Sequence, residues 1–401
     1  MSRTARALLL ALAVVSALVF AAPASAGLLD ARVGAAKAKK RTCQARLASG
    51  AGVVKRNVTS AAMGLVRART TGRGTGDWDV AIFSRKDGRL VAASAYRGPN
   101  ELAEGIALGG EPLTVQACRR SGKTSAVRLT VDSIPVPQRS GNKIQLVRVQ
   151  TPTDASKRIL DSLGLDLTEH ARDGFRDALL YSADDAQKLR KAGFVFTVQV
   201  PDVVAADRRA FQQSRRSSNA TGVDVPSGRT DYRRLADYSS DMKKLAEDNP
   251  TLVKPITLPY TTLEGRPVEG IEIAQDVTKQ DGKPVFLQLG VHHAREWPAG
   301  EMPMEWAYEM VNGLRDGDKR VTDLMSRARV IVVPIVNPDG FNLTREAGSD
   351  IPVGPVGLLA ESLGAVEEFA YKRRNCRVQD GAFPAAGECG LWVNRFLGVD
   401  P

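Results

Sequence analysis

Residues 284–298 read Pro-Val-Phe-Leu-Gln-Leu-Gly-Val-His-His-Ala-Arg-Glu-Trp-Pro. The first eight are almost wholly apolar, which predicts a strand buried on both faces of a sheet. His293 and Glu296 follow at a strand-to-helix turn, and Pro298 opens a predicted helix that runs to about Leu314. One helical turn of backbone puts an imidazole and a carboxylate on the same side, where both can reach one metal ion. This donor pair suits Zn²⁺, which takes three protein ligands and a water in a catalytic site.

The setting of this pair, rather than its spacing, makes the metal-site prediction specific. A bare His-x-x-Glu arises often by chance, and a solvated His and Glu on a loop is the alternative. Here a buried strand precedes the pair, a helix follows it and Arg295 lies between the ligands. Residues 229–401 as a whole predict part of an α/β domain, with a mixed sheet and flanking helices.

Upstream, residues 41–137 show a period of two. Trp78, Val80 and Ile82 occupy alternate positions, and a turn signal follows at Asp87-Gly88. Short strands between Gly-rich turns predict a small β-sandwich. The stretch from residue 77 to residue 118 loosely resembles the pre-peptidase β-sandwich modules of secreted bacterial proteases.

Residues 143–211 predict a small α+β module with the order strand, helix, strand, helix, strand. Thr153 and Ser182 are the predicted caps of its helices, and Gly193 ends the second helix. Modules of this kind act as prosegments in several secreted proteases, and a plain structural role is equally compatible. Residues 212–228 are polar and rich in Ser and Gly, which predicts a linker. Arg215-Arg216 within it is either an activation cleavage site or two solvated arginines.

The first 26 residues have the pattern of a secretory signal peptide. A basic start is followed by an apolar run from Ala7 to Ala22 and by Ala24-Ser25-Ala26, which offers small residues to signal peptidase. We therefore expect a secreted protein with Gly27 as its mature N-terminus. The run is too short before its polar flank for a membrane anchor, and no later stretch is long and apolar enough to cross a bilayer.

The charge and the cysteines fit an exported globular protein. The net charge is +11, but Arg and Lys are spread along the whole chain, so no nucleic-acid partner is expected. In an oxidising compartment the four cysteines predict two disulfides, with three pairings open. The pairing Cys43–Cys118 and Cys376–Cys389 is favoured because each bridge then stays within one predicted segment.

Four motifs resemble those of one enzyme family and occur in the family's order. His-Ala-Arg-Glu-Trp at 293–297 resembles the zinc-ligand signature of the carboxypeptidase A/B and carboxypeptidase T family. The others are Glu-Gly-Arg at 264–266, Asn-Pro-Asp-Gly at 337–340 and Lys-Arg-Arg-Asn at 372–375, where Arg374 replaces the family's usual Lys. The resemblance covers residues 228 to 401 and is specific as a set.

The resemblance implies a secreted zinc-dependent carboxypeptidase that acts on the C-termini of peptides or proteins. His293 and Glu296 would be the first two ligands of one Zn²⁺ ion, and Arg295 would bind substrate. Arg373 would be the catalytic arginine that stabilises the oxyanion, a contribution of about a few kcal/mol for a fixed cation in such a site. His292 is expected to be structural, and His170 is expected to lie on the surface.

The resemblance breaks at Gly398-Val399-Asp400-Pro401, where the family continues with an Asn-Arg pair that grips the substrate carboxylate. No match is found for the third zinc ligand, a substrate-contacting Tyr or the general-base Glu, and no histidine follows His293. We therefore expect an incomplete peptidase domain that binds zinc weakly and cleaves no C-terminal peptide bonds. The alternative is a non-catalytic secreted binding protein with a vestigial peptidase domain. A protease of the His-Glu-x-x-His type is excluded because that motif is absent.

Overall fold

The computed structural model describes residues 26–39, 42–135, 143–207, 209, 225–348 and 371–373. The predicted signal peptide lies outside these residues except for Ala26. Most of the predicted linker and the predicted Cys376–Cys389 bridge also lie outside them. Among the described residues, no helix has both the length and the apolar character needed to cross a bilayer.

The N-terminal unit contains eight strands. They are β1 (Ala26–Gly34), β2 (Val53–Thr59), β3 (Gly64–Thr71), β4 (Gly76–Ser84), β5 (Leu90–Ser94), β6 (Glu101–Ala107), β7 (Pro112–Gly122) and β8 (Ala126–Pro135). They form two antiparallel four-stranded sheets, ordered β1–β8–β3–β6 and β2–β7–β4–β5. Trp78, Val80 and Ile82, which alternate in the sequence, lie fully buried in the core of this unit.

The sandwich also contains an edge strand, β1, that begins before the predicted boundary, and a disulfide. The predicted start at residue 41 was too late, because β1 pairs along β8 from Ala26, opposite Ser133, to Gly34. This strand lies at the edge of its sheet and is mostly half-exposed, so its apolar period is weak. Cys43 and Cys118 form the predicted disulfide, with Cα atoms 6.3 Å apart.

The second unit is a four-stranded antiparallel sheet with two helices. Its elements are β9 (Gln145–Thr151), α1 (Asp154–Ser162), β10 (Asp166–Arg172), β11 (Gly174–Leu180), α2 (Ala183–Lys191) and β12 (Phe196–Val200), and the strand order is β10–β11–β9–β12. Thr153 and Ser182 cap the helices as predicted, with their hydroxyls accepting from the backbone N–H of Ser156 and Asp185. The strand β10 was not predicted, because it is polar and largely exposed and has no apolar period.

The third unit has a mixed sheet with flanking helices, as predicted. Its elements are α3 (Leu235–Asp248), β13 (Val253–Thr261), β14 (Pro267–Ile273), β15 (Val285–Leu289), α4 (Pro298–Asp316), α5 (Lys319–Arg327), β16 (Arg329–Val333) and α6 (Pro338–Gly348). The strand order among the described residues is β13–β14–β16–β15, in which the β15–β16 pair is parallel and the other two pairs are antiparallel. Tyr238, Ile271, Met304, Val332 and Phe341 lie in its buried core.

The prediction that β15 is buried on both faces was wrong. Val285, Phe286 and Leu287 are 52%, 52% and 54% exposed. The reason is its position: β15 lies at the edge of the sheet, and among the described residues it pairs with β16 alone. An apolar edge strand of this kind is a site of aggregation unless it is covered.

The sandwich packs against the third unit through both apolar and charged contacts. Ala81 and Phe83, on the face of β4 opposite the sandwich core, contact Ala236 of α3. The Lys243 ammonium, also from α3, donates to Asp77 Oδ1 at 3.0 Å and to the carbonyl oxygen of Tyr96 at 2.6 Å. The outward residues of β4 are therefore apolar because they form an interface between the units.

A second group of contacts is a buried ion network. Arg266 has no exposed side-chain surface and pairs with Glu264, with Asp339 at 2.8 Å and with Glu104 of the sandwich at 3.5 Å. Arg67 of the sandwich pairs with Glu104 and lies 3.4 Å from Glu264. Two of the four family-like motifs, Glu-Gly-Arg and Asn-Pro-Asp-Gly, thus contribute charges that are neutralised partly by the sandwich.

Within this network, burial raises the pKa of Glu264 from its ordinary 4.5 to about 7. Repulsion from Glu104 and Asp339 adds to this effect, while Arg266 and Arg67 oppose it. The folded state therefore holds a proton on Glu264 that the unfolded chain releases between about pH 4.5 and 7. As the pH rises through this window, this group makes the folded state less stable.

We expect the free energy of unfolding of Glu264→Gln to increase relative to that of wild type as the pH rises from 5 to 8, because a neutral amide has no proton to lose. The difference between the two free energies of unfolding should shift by a few kcal/mol. Denaturant unfolding at a series of pH values measures it, with Glu309→Gln as control, at a side chain that is 43% exposed. A difference that is flat with pH, or that falls, would contradict the prediction.

Candidate metal centre

A strained turn carries the predicted ligands. Val291 has φ of +42°, a left-handed conformation that is unfavourable for a β-branched residue. Three backbone hydrogen bonds hold it: Gly290 N–H donates to Val333, Val336 N–H to Gly290, and Asn337 N–H to Val291. A Cβ on Gly290 would lie 2.4 Å from the Ala299 carbonyl oxygen, so only glycine fits this close approach.

The Asn-Pro-Asp-Gly motif supports the same turn from the side of α6. The Asn337 side-chain amide donates to the His292 carbonyl oxygen at 3.1 Å, and its oxygen accepts from Gly340 N–H at 3.0 Å. A Cβ on Gly340 would lie 2.7 Å from the Cβ of Ala294. The motif therefore packs directly against the backbone that presents His293.

The two predicted zinc ligands lie together. His293 Nδ1 is 2.9 and 3.0 Å from the two carboxylate oxygens of Glu296. A third carboxylate, from Glu169 on β10, lies 3.5 Å from the same nitrogen, and the ligand atoms of all three residues lie within 4.8 Å of one another. Zinc bound at about 2.0–2.1 Å separates neighbouring tetrahedral donors by about 3.3 Å. The donors present therefore fit a zinc ion in both type and spacing.

The Arg373 guanidinium lies beside these donors. It forms an ion pair with Glu169, lies 3.6 Å from Glu296 Oε1 and contacts His293 Nε2. A guanidinium can only donate, so Nε2 accepts in this contact and Nδ1 is the nitrogen that faces the Glu296 carboxylate. Although partial burial opposes it, the hydrogen bond from Arg373 lowers the pKa of Glu169.

Arg295 is also held by the α+β module. Its Nη1 donates to Asp166 Oδ2 at 2.6 Å and to the Tyr371 carbonyl oxygen at 3.1 Å. The Tyr181 hydroxyl donates to the same Asp166 oxygen at 2.7 Å. Burial opposes the charged form of Arg295, but Asp166 raises the pKa of the guanidinium above its ordinary value. Both predicted functional arginines thus face carboxylates of β10.

The remaining predicted residues take no direct part in this centre. The ring of His170 is exposed and lies beside Phe175, as expected for a surface histidine. Sequence reasoning missed Asp166 and Glu169, because a polar strand in an upstream module carries no pattern that points to a site in another unit. The only signal in the sequence was that two acidic residues lie three positions apart in a stretch with no apolar period.

Comparisons with known proteins agree with the motifs. The family described as zinc carboxypeptidase matches residues 238–380. Carboxypeptidase B of Helicoverpa zea is 25% identical over 210 residues, which are 49% of this chain and 47% of that protein. The inactive metallocarboxypeptidase ECM14 of Uncinocarpus reesii is 31% identical over 143 residues, 34% of this chain and 24% of that protein. The chain thus spans less than half the length of both relatives.

Among solved structures, carboxypeptidase A from Helicoverpa armigera matches with a TM-score of 0.44 and 19% identity, covering 62% of this chain and 56% of that one. The family match, together with the curated relatives, confirms the resemblance seen in the motifs. Residues 238–380 belong to the zinc carboxypeptidase family.

Proposed function

We propose that the chain is a secreted zinc carboxypeptidase in a latent form, whose reaction is hydrolysis of the C-terminal peptide bonds of peptides or proteins. The observation that carries this proposal is the convergence of His293 Nδ1 and the Glu296 carboxylate at the turn after β15. These residues would hold one Zn²⁺ ion. Bound zinc would supply a Lewis acid and a water of lowered pKa.

The two arginines give the centre its preference for C-terminal substrates. Arg295 would bind substrate, and Arg373 would stabilise the negative charge that develops on the scissile carbonyl oxygen. Both are fixed cations beside the metal ligands, with side chains only 14% and 15% exposed. A substrate that presents an anionic carboxylate is the class that such a site attracts.

Latency follows from the contacts of these arginines. Asp166 pairs with Arg295, and Glu169 pairs with Arg373. A substrate carboxylate or oxyanion would have to displace these carboxylates first. These contacts favour a prosegment role for residues 143–211, and we expect the intact chain to cleave no C-terminal peptide bonds.

Secretion is part of the same proposal. It rests on the predicted signal peptide at residues 1–26 and on the Cys43–Cys118 disulfide, a bond that forms and persists in oxidising compartments. Nucleic acid is not a proposed partner.

Metal binding tests the proposed centre directly. We expect the 401-residue chain to bind one Zn²⁺, and His293→Ala to abolish binding because it removes the central nitrogen donor. Titration against a chromophoric chelator measures both affinity and stoichiometry. The matched control is His170→Ala, which removes an exposed histidine outside the cluster and should bind as wild type does. Unchanged binding by His293→Ala would refute the proposed centre.

A further inference from the structure

We propose that Glu169 is the third protein ligand of the zinc centre, so that the metal ion links the α+β module to the peptidase domain. This inference rests on the proposed function, because it needs a zinc ion at His293 and Glu296. It goes beyond that proposal by assigning a ligand that lies on the polar strand β10, far from the ligand motif in sequence.

The first support is the shape of β10. Its pairing with β11 is irregular between Leu167, opposite Ala178, and Ala171, opposite Arg176. The stretch of β10 between these pairs is longer than the matching stretch of β11, so the strand bulges around Glu169. Bulges re-aim side chains and are common next to active sites. The irregularity explains how a side chain on this hairpin reaches the zinc ligands.

The second support is that the hairpin is anchored close to Glu169. Asp166, only three residues earlier, has a side chain 7% exposed and forms the ion pair with Arg295. The Tyr181 hydroxyl lies within hydrogen-bond distance of the same carboxylate, at 2.7 Å, and of the Tyr371 carbonyl oxygen, at 3.1 Å. The backbone that carries Glu169 is therefore fixed against the peptidase domain before any metal binds, which lowers the entropic cost of recruiting the ligand.

The third support is charge. One position is surrounded by three side chains, namely the Glu169 carboxylate, the Glu296 carboxylate and the His293 imidazole. The Arg373 guanidinium contacts all three residues. The cluster is thus complementary to a cation. A dication held by the same donors would be balanced by the two carboxylates, and it would compete with the guanidinium for them.

The test compares zinc affinity in the full chain and two variants. Glu169→Gln keeps the shape of the side chain but removes its charge, and we expect it to weaken zinc binding on the order of 100-fold. Asp173→Asn, at the exposed turn of the same hairpin, should stay within about twofold of wild type, as expected for a surface substitution. Circular dichroism and thermal unfolding without metal establish that both variants are folded.

A second measurement separates ligation from a merely structural contact. Zinc should slow amide hydrogen exchange in β10 of the wild type, and Glu169→Gln should lose this protection. Arg373→Met should tighten zinc binding, because it removes the competing cation. If Glu169→Gln binds zinc as tightly as wild type, Glu169 is not a ligand and the centre at His293 and Glu296 stands. If the wild type binds no zinc, the proposed centre itself fails.

Discussion

Replacing Arg266 with methionine should lower the free energy of unfolding by about 3–5 kcal/mol, the cost of breaking a buried ion pair by removing one partner. The Arg266 side chain has no exposed surface and faces carboxylates from three places in the chain, Glu104, Glu264 and Asp339. Without the guanidinium these groups remain buried and close to one another. Methionine fills much of the volume, so the loss reports charge rather than a cavity.

The control for this variant is Arg315→Met. Arg315 pairs with Asp316 on the surface, where the two side chains are 57% and 63% exposed, so its removal should cost less than about 1 kcal/mol. At a pH where Glu264 is ionised, adding Glu264→Gln to Arg266→Met should recover part of the loss, because it removes one uncompensated carboxylate. Denaturant unfolding of the full chain measures all three. Equal effects of the two arginine substitutions would contradict a buried network.

Removing the disulfide with the double variant Cys43→Ser and Cys118→Ser should cost about 4.5 kcal/mol in the chain-entropy description, since the bridge closes a loop with a sequence separation of 75 residues. The bridge also fixes the segment before β2 to β7, where the Gln116 side chain donates to the carbonyl oxygen of Cys43. Thermal unfolding of the sandwich should therefore shift downward by several degrees or more.

Wild-type protein in strong reductant is the matched comparison for this double variant. Both should show the same lowered unfolding temperature, because both lack the same covalent loop. A double variant as stable as the oxidised wild type would mean that the bridge adds nothing to the folded state.

The local features of the fold could be predicted because their causes are local. Pro298 at the start of α4 and the caps Thr153 and Ser182 act through neighbouring backbone groups. The spacing of His293 and Glu296 is likewise set by one turn of chain. For the same reason, the motifs were enough to predict two zinc ligands and two functional arginines, of which His293, Glu296 and Arg373 lie close together in the structure.

The predictions that failed, or could not be made, concern features that depend on partners distant in sequence. The eight-residue apolar run at β15 looks the same in sequence whether or not a neighbouring strand covers it, so its exposure could not be predicted. Glu169 approaches His293 only because two units dock, and no spacing records this contact. Ala81 and Phe83 alternate with the core residues of β4, and only the packing of α3 shows that they belong to an interface.

The buried contacts between sandwich and peptidase domain have a consequence for proteolytic activation. A single cut in the predicted linker at residues 212–228 would break the covalent connection but leave Lys243 enclosed by Asp77 and Tyr96, and Arg266 paired with Glu104. The product would be a nicked two-chain protein that migrates as one particle in gel filtration. Its N-terminal chain would stay bound to the peptidase chain as a subunit does. Dissociation of the two chains would require the interface to open as well as the linker to be cut.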